Sequence, residues 1–538
     1  MKFGNETDTG LKIFNVASAV PEAAGKWGER VVLHHYDNDA IVTYSQLHTL
    51  SNRAGNALRA VGVEMENRVA ILLDDCPEYA YIIIGALKIG AVPAPLNTLL
   101  SEKDYAFFMA DSRAKVLFVG TSYFEKIKGV IDTLPYLKQV VVLNGKGKVV
   151  DKRAKIVDWE TFIQASDDAL EIESTFSDDM AYFVYTSGST GRPRAIVHSH
   201  KNMFLGASQF KRLRGVKEGD IQFHVPKLYW NVGINSLIST FYNGSSMVLL
   251  SGRPEPLTIL NIIGKYRPTQ LTAPPTMLAR MIEAGKEAPH LTDLSSIRYI
   301  FSTGEVLAPA LFQGFREVFK ISPYYCFGAQ ELNASAIAWR HGEDVPLDKA
   351  GSIGRSSAPG VEVKIVDESG KEVPPGVPGE LLVKTDSQLL YYWHQPDETA
   401  NKFFKGWYRS GDSMMRDQDG YYWYLGRLDD MVKVGGRPIF PGEIETTIAR
   451  HPAVLENAVV PVQSDLGLTK IKAFVVLRDG YKPSTDLASE IQNHVKEKLA
   501  PYKRPHQVEF VKDLPRTATG KIQRFRLREL AVGVKEVK

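Results

Sequence analysis

The run AYFVYTSGSTGRPRAIVHSH, Ala181 to His200, sets six small or hydroxylated residues between an apolar strand and a basic segment. Loops of this composition grip phosphates. Gly188 and Gly191 let the backbone approach an anion and take positive φ, Thr186, Ser187, Ser189 and Thr190 offer hydroxyl donors, and Arg192 and Arg194 bring charge. It is not a Walker A loop, because Pro193 stands where that motif needs its second glycine. A Ser/Gly/Thr run alone also makes an ordinary surface turn. The apolar AYFVY before it and the basic tail after it are what point to phosphate.

Around this run, strand-like apolar segments alternate with helical patterns: RVAILL from Arg68, a helix around Tyr79 to Ile89, KVLFVG from Lys115, VVVL from Val140, SMVLL from Ser246 and RYIFSTGE from Arg298. The alternation predicts parallel β-structure with crossover helices. Gly and Pro clusters at Gly252 to Pro256 and Pro374 to Pro378 mark turns. Asp367-Glu368-Ser369-Gly370 reads as a hairpin turn, and the strands around it predict a β-rich subdomain near residues 350 to 428. After Asp429 the texture changes: AVLENAVVPV and IKAFVVL read as short strands, TDLASEIQNHVKEKL from Thr485 has a helical period, and QVEFV from Gln507 is strand-like again. The predicted fold is α/β, with a large N-terminal domain over 1–428, built of parallel-sheet subdomains plus the β-rich one, and a small α+β C-terminal domain over 429–538.

Bulk properties narrow the class. At 538 residues the chain exceeds what one hydrophobic core supports, and 44% hydrophobic with 24% charged residues describes a soluble globular protein. A net charge of +3 is too small to suggest nucleic acid. From Lys496 to Lys538, twelve Lys or Arg face five Asp or Glu, so the C-terminal region is basic and suits an anionic ligand or a solvated face. Only Cys76 and Cys326 are present, which excludes a disulfide framework and fits a reducing cytoplasm. MKFGNETDTG lacks the apolar stretch of a signal peptide, and no uninterrupted run reaches the roughly 18 apolar residues that span a bilayer.

Further motifs follow in order: Phe327-Gly328-Ala329-Gln330-Glu331, Tyr408-Arg409-Ser410-Gly411-Asp412, Gly426-Arg427-Leu428-Asp429-Asp430 and Pro515-Arg516-Thr517-Ala518-Thr519-Gly520-Lys521. Together with the phosphate run, this series resembles the acyl-adenylate-forming superfamily of acyl-CoA synthetases, firefly luciferases and peptide-synthetase adenylation domains. It is most similar to the benzoate-CoA ligase branch. The resemblance implies an acyl-CoA ligase (acid–thiol ligase, AMP-forming) that uses ATP, Mg²⁺ and coenzyme A and acts on a small carboxylic acid, as a monomer or homodimer.

It also implies roles. Thr186 to Gly191 and Arg194 would hold the nucleotide phosphates, and Glu331 the Mg²⁺. Phe327, with Gly328 and Gln330, would pack at the adenine, opposite Gly304 and Glu305. Asp412 would accept from the ribose hydroxyls, with Arg427 nearby. Lys521 would bridge substrate carboxylate and α-phosphate, a task that suits a side chain cationic at pH 7. Asp429 would be the hinge of a mobile C-terminal domain, and Gly435, Gly436 and Arg437 would then face the pantetheine arm and phosphates of CoA. Lys227, Tyr229, Trp230 and Asn231, from KLYWNVG, would line the acyl pocket, where two adjacent aromatic residues wall a compact aromatic, alicyclic or short branched acid; core packing is the alternative for either ring.

Three positions depart from the family pattern: Arg194 with Ala195 replaces a Lys-Gly pair, Gln330 replaces a threonine, and Phe327 replaces a tyrosine. None removes Lys521, Asp412 or Glu331, so an active enzyme is expected. Two other readings stay open: an enzyme that passes its adenylate to a carrier protein, and a non-catalytic protein that binds nucleotide or acyl-adenylate.

Overall fold

The computed structural model describes residues 5–6, 12–144, 156–164, 166–187, 193–355, 357–434, 437–463, 469–516 and 522–531. Gly188, Ser189, Thr190, Gly191, Gly435, Gly436 and Lys521 lie outside the described residues, as do the side chains of Ser187 and Arg437. The apolar runs of the first quarter become a five-stranded, all-parallel sheet in the order Val92–Pro95, Arg68–Leu72, Val116–Gly120, Gln139–Leu143, Ile156–Asp158. Helices cover it, so its strands read as continuous rather than alternating apolar runs.

A second sheet of eight strands runs Ala334–Ala338, Pro323–Ala329, Tyr299–Ser302, Gln270–Thr272, Ile221–His224, Ser246–Leu249, Val31–His35, Ile41–Thr43. It is parallel in its middle and antiparallel at both ends. Its last two strands come from the N-terminal hairpin, so the first sheet is inserted into the second. Between them, Met180–Ser187 pairs antiparallel with Pro193–Ser199 as far as Ser187 and Pro193, the residues on either side of the phosphate run. This ribbon packs Phe183, Ala195 and Val197 against Val92 and Ala94.

The predicted β-rich part is a sheet of Val361–Val366, Gly379–Thr385, Trp407–Arg416, Phe403–Phe404 and Tyr422–Arg427. Beyond the short helix Leu428–Asp430, Val454–Gln463, Thr469–Leu477 and Gln507–Phe510 form a sheet with a separate apolar cluster on each face. Helices Pro441–Ile448 and Thr485–Lys498 cover one face and Arg524–Ala531 the other. Among the described residues no helix is long and apolar enough to cross a membrane.

Near the first sheet, helices Tyr44–Ala60 and Pro77–Lys88 cross with their backbones in contact. A Cβ on Gly85 would lie 2.7 Å from the Ser51 carbonyl oxygen and 2.8 Å from the Gly55 nitrogen. That close approach buries Lys88 completely. Its ammonium donates to Asn52 Oδ1 at 2.6 Å, Ser51 Oγ at 2.8 Å and the His48 carbonyl at 3.3 Å, and no carboxylate among the described residues pairs with it. Burial lowers the amine to about 7. The unfolded chain holds this proton to about pH 10, so folding releases it between those values, and the Lys88 contribution makes stability rise with pH by up to about 1.4 kcal/mol per unit. In Lys88→Met this rise should be absent: between pH 7.5 and 9.5 the urea midpoint of the wild type should gain on that of the variant, and parallel pH profiles would refute a buried, titrating Lys88.

Candidate active site

Adjacent strands of the β-rich sheet put Asp412 opposite Arg427. Arg427 Nη1 donates to both carboxylate oxygens at 2.9 Å, and Tyr424 Oη donates to Oδ1 at 3.2 Å. Burial pushes the Asp412 carboxyl up, and Arg427 works against that shift. For Arg427, burial opposes the charge but Asp412 prevails and holds the guanidinium above its ordinary value. Tyr424 also stacks beside Phe327, with ring centroids 6.0 Å apart and planes inclined 29°. The next residue, Gly328, sits at a β-bulge where a Cβ would lie 2.6 Å from the Ala334 carbonyl oxygen, so only glycine fits. Gly304 follows strand Tyr299–Ser302 with φ +93°, and space is open where its Cβ would project. Burial, together with the charges of Cys326, Asp412 and Glu305, raises the Tyr325 hydroxyl, so Glu305 belongs to the same neighbourhood.

Strand Pro323–Ala329 runs into the short helix Gln330–Leu332, which carries Glu331. Tyr392 Oη donates to Glu331 Oε1 at 3.0 Å. Burial and this carboxylate raise the hydroxyls of both Tyr392 and Tyr408. No Lys or Arg among the described residues pairs with Glu331, and no group of three or more His, Cys, Asp or Glu among them could cage a metal. One oxygen donor without a protein cation fits Mg²⁺, which commonly takes one or two carboxylates plus substrate phosphates. Arg194, across the ribbon from Thr186, is buried: its guanidinium meets Glu398 at 3.1 Å and lies 5.6 Å over the Tyr392 ring. Its charge is thus already engaged within the protein.

The KLYWNVG segment lies directly against this helix. Asn231 Nδ2 donates to the Gln330 carbonyl at 2.7 Å, and His198 Nε2 lies 2.8 Å from the same oxygen. Burial lowers His198 to about 4, so at neutral pH the ring is uncharged, with its proton on Nε2 to meet the carbonyl. The Gln330 side-chain oxygen accepts the Asn231 N–H at 3.3 Å. Tyr229 is buried and Trp230 half buried, with rings 5.5 Å apart and inclined 52°. Lys227 donates to the carbonyls of Leu250, Ser251 (3.0 Å) and Gly252 (2.7 Å). Asp75, a residue absent from the sequence reading, accepts the Leu228 N–H at 3.0 Å; burial pushes its carboxyl up to about 6 while Lys227 pulls it down.

Asp429 is exposed in the helix Leu428–Asp430, and Arg528 Nη2 reaches Asp430 at 3.4 Å. Arg516 and Ile522, on either side of the lysine motif, form an antiparallel bridge. Sequence reasoning missed Tyr392 and Tyr424, which fall outside the recognised motifs, and His198, which lies near the end of the run Ala181 to His200 but was given no role there. Tyr424 and Arg427, three apart, would face opposite sides of a regular strand; the register shift between Gly426 and Tyr424 brings both to Asp412, and no period-2 reading signals it.

An α/β core with nucleotide-type residues at its strand ends, followed by a small α+β unit, defines the class of acyl-adenylate-forming enzymes. Models of two families, the AMP-binding enzyme and the AMP-binding enzyme C-terminal domain, match residues 20–393 and 443–521. The benzoate–CoA ligase of Thauera aromatica is 35% identical over 94% of this chain and 93% of its own length. Among solved structures, an anthranilate CoA ligase in complex with anthranoyl-AMP matches with TM-score 0.87 and 34% identity over 96% of this chain and 97% of that one. A benzoate CoA ligase from Burkholderia xenovorans LB400 matches with TM-score 0.85 and 32% identity, over 96% and 100%. The chain belongs to the AMP-binding enzyme family, and its class is that of the acid–thiol ligases.

The Asp412–Arg427 pair offers a check on this electrostatic frame. About half of the Arg427 side chain is solvent-exposed while Asp412 is almost fully buried, so the coupling should fall below that of a fully buried pair, at about 1–2 kcal/mol. A cycle of Asp412→Asn, Arg427→Leu and the double variant, read by urea unfolding, should return that coupling; additive effects would refute it.

Proposed function

We propose that the chain is an ATP- and Mg²⁺-dependent acyl-CoA ligase for a compact, ring-bearing carboxylic acid. The observation that carries this reading is the hydrogen bonding of Asn231, in the acyl segment, to Gln330, in the nucleotide segment. It puts the two reactants' candidate sites side by side. In the first half-reaction a carboxylate oxygen attacks the α-phosphorus of ATP, and the bond to the β-phosphate breaks to release pyrophosphate. Both reactants are anions, so positioning and charge neutralisation do most of the catalytic work. Thr186 to Gly191 would hold the phosphates. Bound Mg²⁺ would offset their charge, with Glu331 as its ligand and Tyr392 orienting that carboxylate. Asp412, whose charge Arg427 favours against burial, would accept from the ribose hydroxyls, and Phe327 with Tyr424 would flank the base. Lys521 would bridge the attacking carboxylate and the α-phosphate.

In the second half-reaction the CoA sulfur attacks the acyl carbon, the acyl–phosphate C–O bond breaks and AMP leaves. The thiol needs the space that Lys521 occupied. The 429–538 unit would therefore turn at Asp429, an exposed residue between separately packed cores, bringing Gly435, Gly436 and Arg437 to the CoA. Tyr229 and Trp230 form an aromatic wall that favours a flat, short acid over a long acyl chain. The relatives named for benzoate and anthranilate support the same substrate class. A cytoplasmic setting supplies ATP and CoA and suits two free thiols.

The deciding assay is AMP and pyrophosphate release with Mg-ATP and CoA against benzoate, hydroxy- and aminobenzoates, cyclohexane carboxylate, short branched acids and octanoate. Turnover on a ring acid that requires CoA is expected. Pyrophosphate exchange without CoA consumption would indicate transfer to another acceptor, and nucleotide binding without either reaction would indicate a non-catalytic protein. Lys521→Ala should slow adenylation at least about 100-fold, the scale of losing a positioned transition-state charge, while ATP binding and thioester formation from supplied adenylate persist. Unchanged adenylation would remove Lys521 from the mechanism.

A further inference from the structure

Trp230 ends the aromatic pair, and the peptide after it opens the helix Asn231–Asn243. The first N–H groups of a helix have no partner within it and need acceptors from elsewhere. Trp230, at the N-cap position, supplies no side-chain cap. The acceptor at Asn231 N comes instead from Gln330, 99 residues further along the chain, at 3.3 Å. Because a backbone N–H can only donate, the atom facing it is the Gln330 amide oxygen, which fixes the orientation of that amide.

The family pattern has a threonine at this place. Its hydroxyl, carried on Cβ, is two carbons closer to the backbone than a glutamine Oε1 and would not span the gap to Asn231. Meanwhile the Gln330 backbone carbonyl is held by Asn231 Nδ2 at 2.7 Å and His198 Nε2 at 2.8 Å. The residue is therefore clamped at its main chain, and its side chain points to the acyl segment.

We propose that Gln330 is a specificity-determining residue that shapes the acyl pocket by fixing the Trp230–Asn231 peptide, and does not serve as a phosphate ligand. This rests on the ligase reading above. Holding that peptide sets the direction in which the Trp230 ring enters the pocket, and hence the length of ring substrate that fits. The uncharged His198 holds the other side of the clamp.

Three variants test it: Gln330→Thr, which restores the family residue; Gln330→Met, which keeps length and loses the acceptor; and Asn231→Pro. The last removes the donor at the first helical position, where proline is tolerated, after a Trp230 already extended at φ −101°, ψ 148°, and with it the Nδ2 that holds the Gln330 carbonyl, so its shift should be at least that of the two Gln330 variants. Steady-state kinetics with benzoate, 4-hydroxybenzoate, 2-naphthoate and cyclohexane carboxylate would be measured at saturating and at varied ATP. The ratio of kcat/KM between the single-ring and two-ring acids should shift by about three- to tenfold in each Gln330 variant, the scale of one hydrogen bond, with the KM for ATP held within about twofold. A shift in the KM for ATP with unchanged acid ratios would overturn the proposal in favour of a phosphate role. Equal loss of kcat on every acid would reduce Gln330 to a structural residue and also overturn it. Wild-type protein inactive on every acid would defeat the ligase reading itself, whereas wild-type turnover with unaltered ratios in the variants would defeat only this inference.

Discussion

One carbonyl oxygen, that of Gln330, receives hydrogen bonds from two sources: Asn231 at the head of the acyl helix and His198 at the far end of the strand that leaves the phosphate run. One donor sits on a helix and the other on a strand, and the carbonyl itself belongs to the short helix that follows a strand of the eight-stranded sheet. The geometry matters because the reaction brings two anions together. A carboxylate and a polyphosphate approach productively only when each is held by groups that cannot drift apart, and a buried carbonyl that takes two donors serves that need. The neutral imidazole suits such a junction. A charged ring buried there would cost far more than the bond returns.

Burial divides the ionisable groups of this protein into two kinds. Near the candidate nucleotide site, burial pushes the Asp412 carboxyl up while the Arg427 charge opposes it, and Tyr392 donates to Glu331. Lys88, Asp75 and His198 are buried where neutral partners dominate, and burial moves each toward its uncharged form. Asp75 is the intermediate case. It lies beneath the acyl segment, accepts the Leu228 N–H and feels Lys227, so its charge is only partly compensated. It connects the first sheet to the candidate acyl segment, as Gln330 connects the second. The wall that carries Tyr229 and Trp230 is thus fixed from both sides.

Much of the architecture was legible as alternation of apolar strands and helical periods, because crossover connections impose that rhythm on a parallel sheet. The helix at Pro77–Lys88, the strands at Tyr299–Ser302 and Gln507–Phe510 and the helix at Thr485–Lys498 fall where periodicity predicts them. What alternation cannot express is which sheet a strand joins. Val31–His35 and Arg68–Leu72 look alike as sequences, yet the first pairs with Ser246–Leu249 and the second with Val116–Gly120. Site residues were legible only inside motifs. Asp412 and Glu331 could be named, whereas Tyr392, Tyr424 and His198 act through pairings across 61, 12 and 132 positions that no local pattern encodes.

Arg194 illustrates how a substitution within a motif changes meaning with its surroundings. As a sequence it retains the positive charge of a lysine, and a phosphate role follows. In the fold its planar guanidinium lies over the Tyr392 ring and meets Glu398, a combination of stacking and carboxylate pairing that a lysine ammonium makes less well. Tyr392 in turn donates to Glu331. The guanidinium therefore bears on the candidate Mg²⁺ carboxylate through the tyrosine it lies over. Gln330 behaves likewise, since its side-chain oxygen accepts the Asn231 N–H, so at two of the three departures the polar end of the side chain is engaged by other residues of the protein.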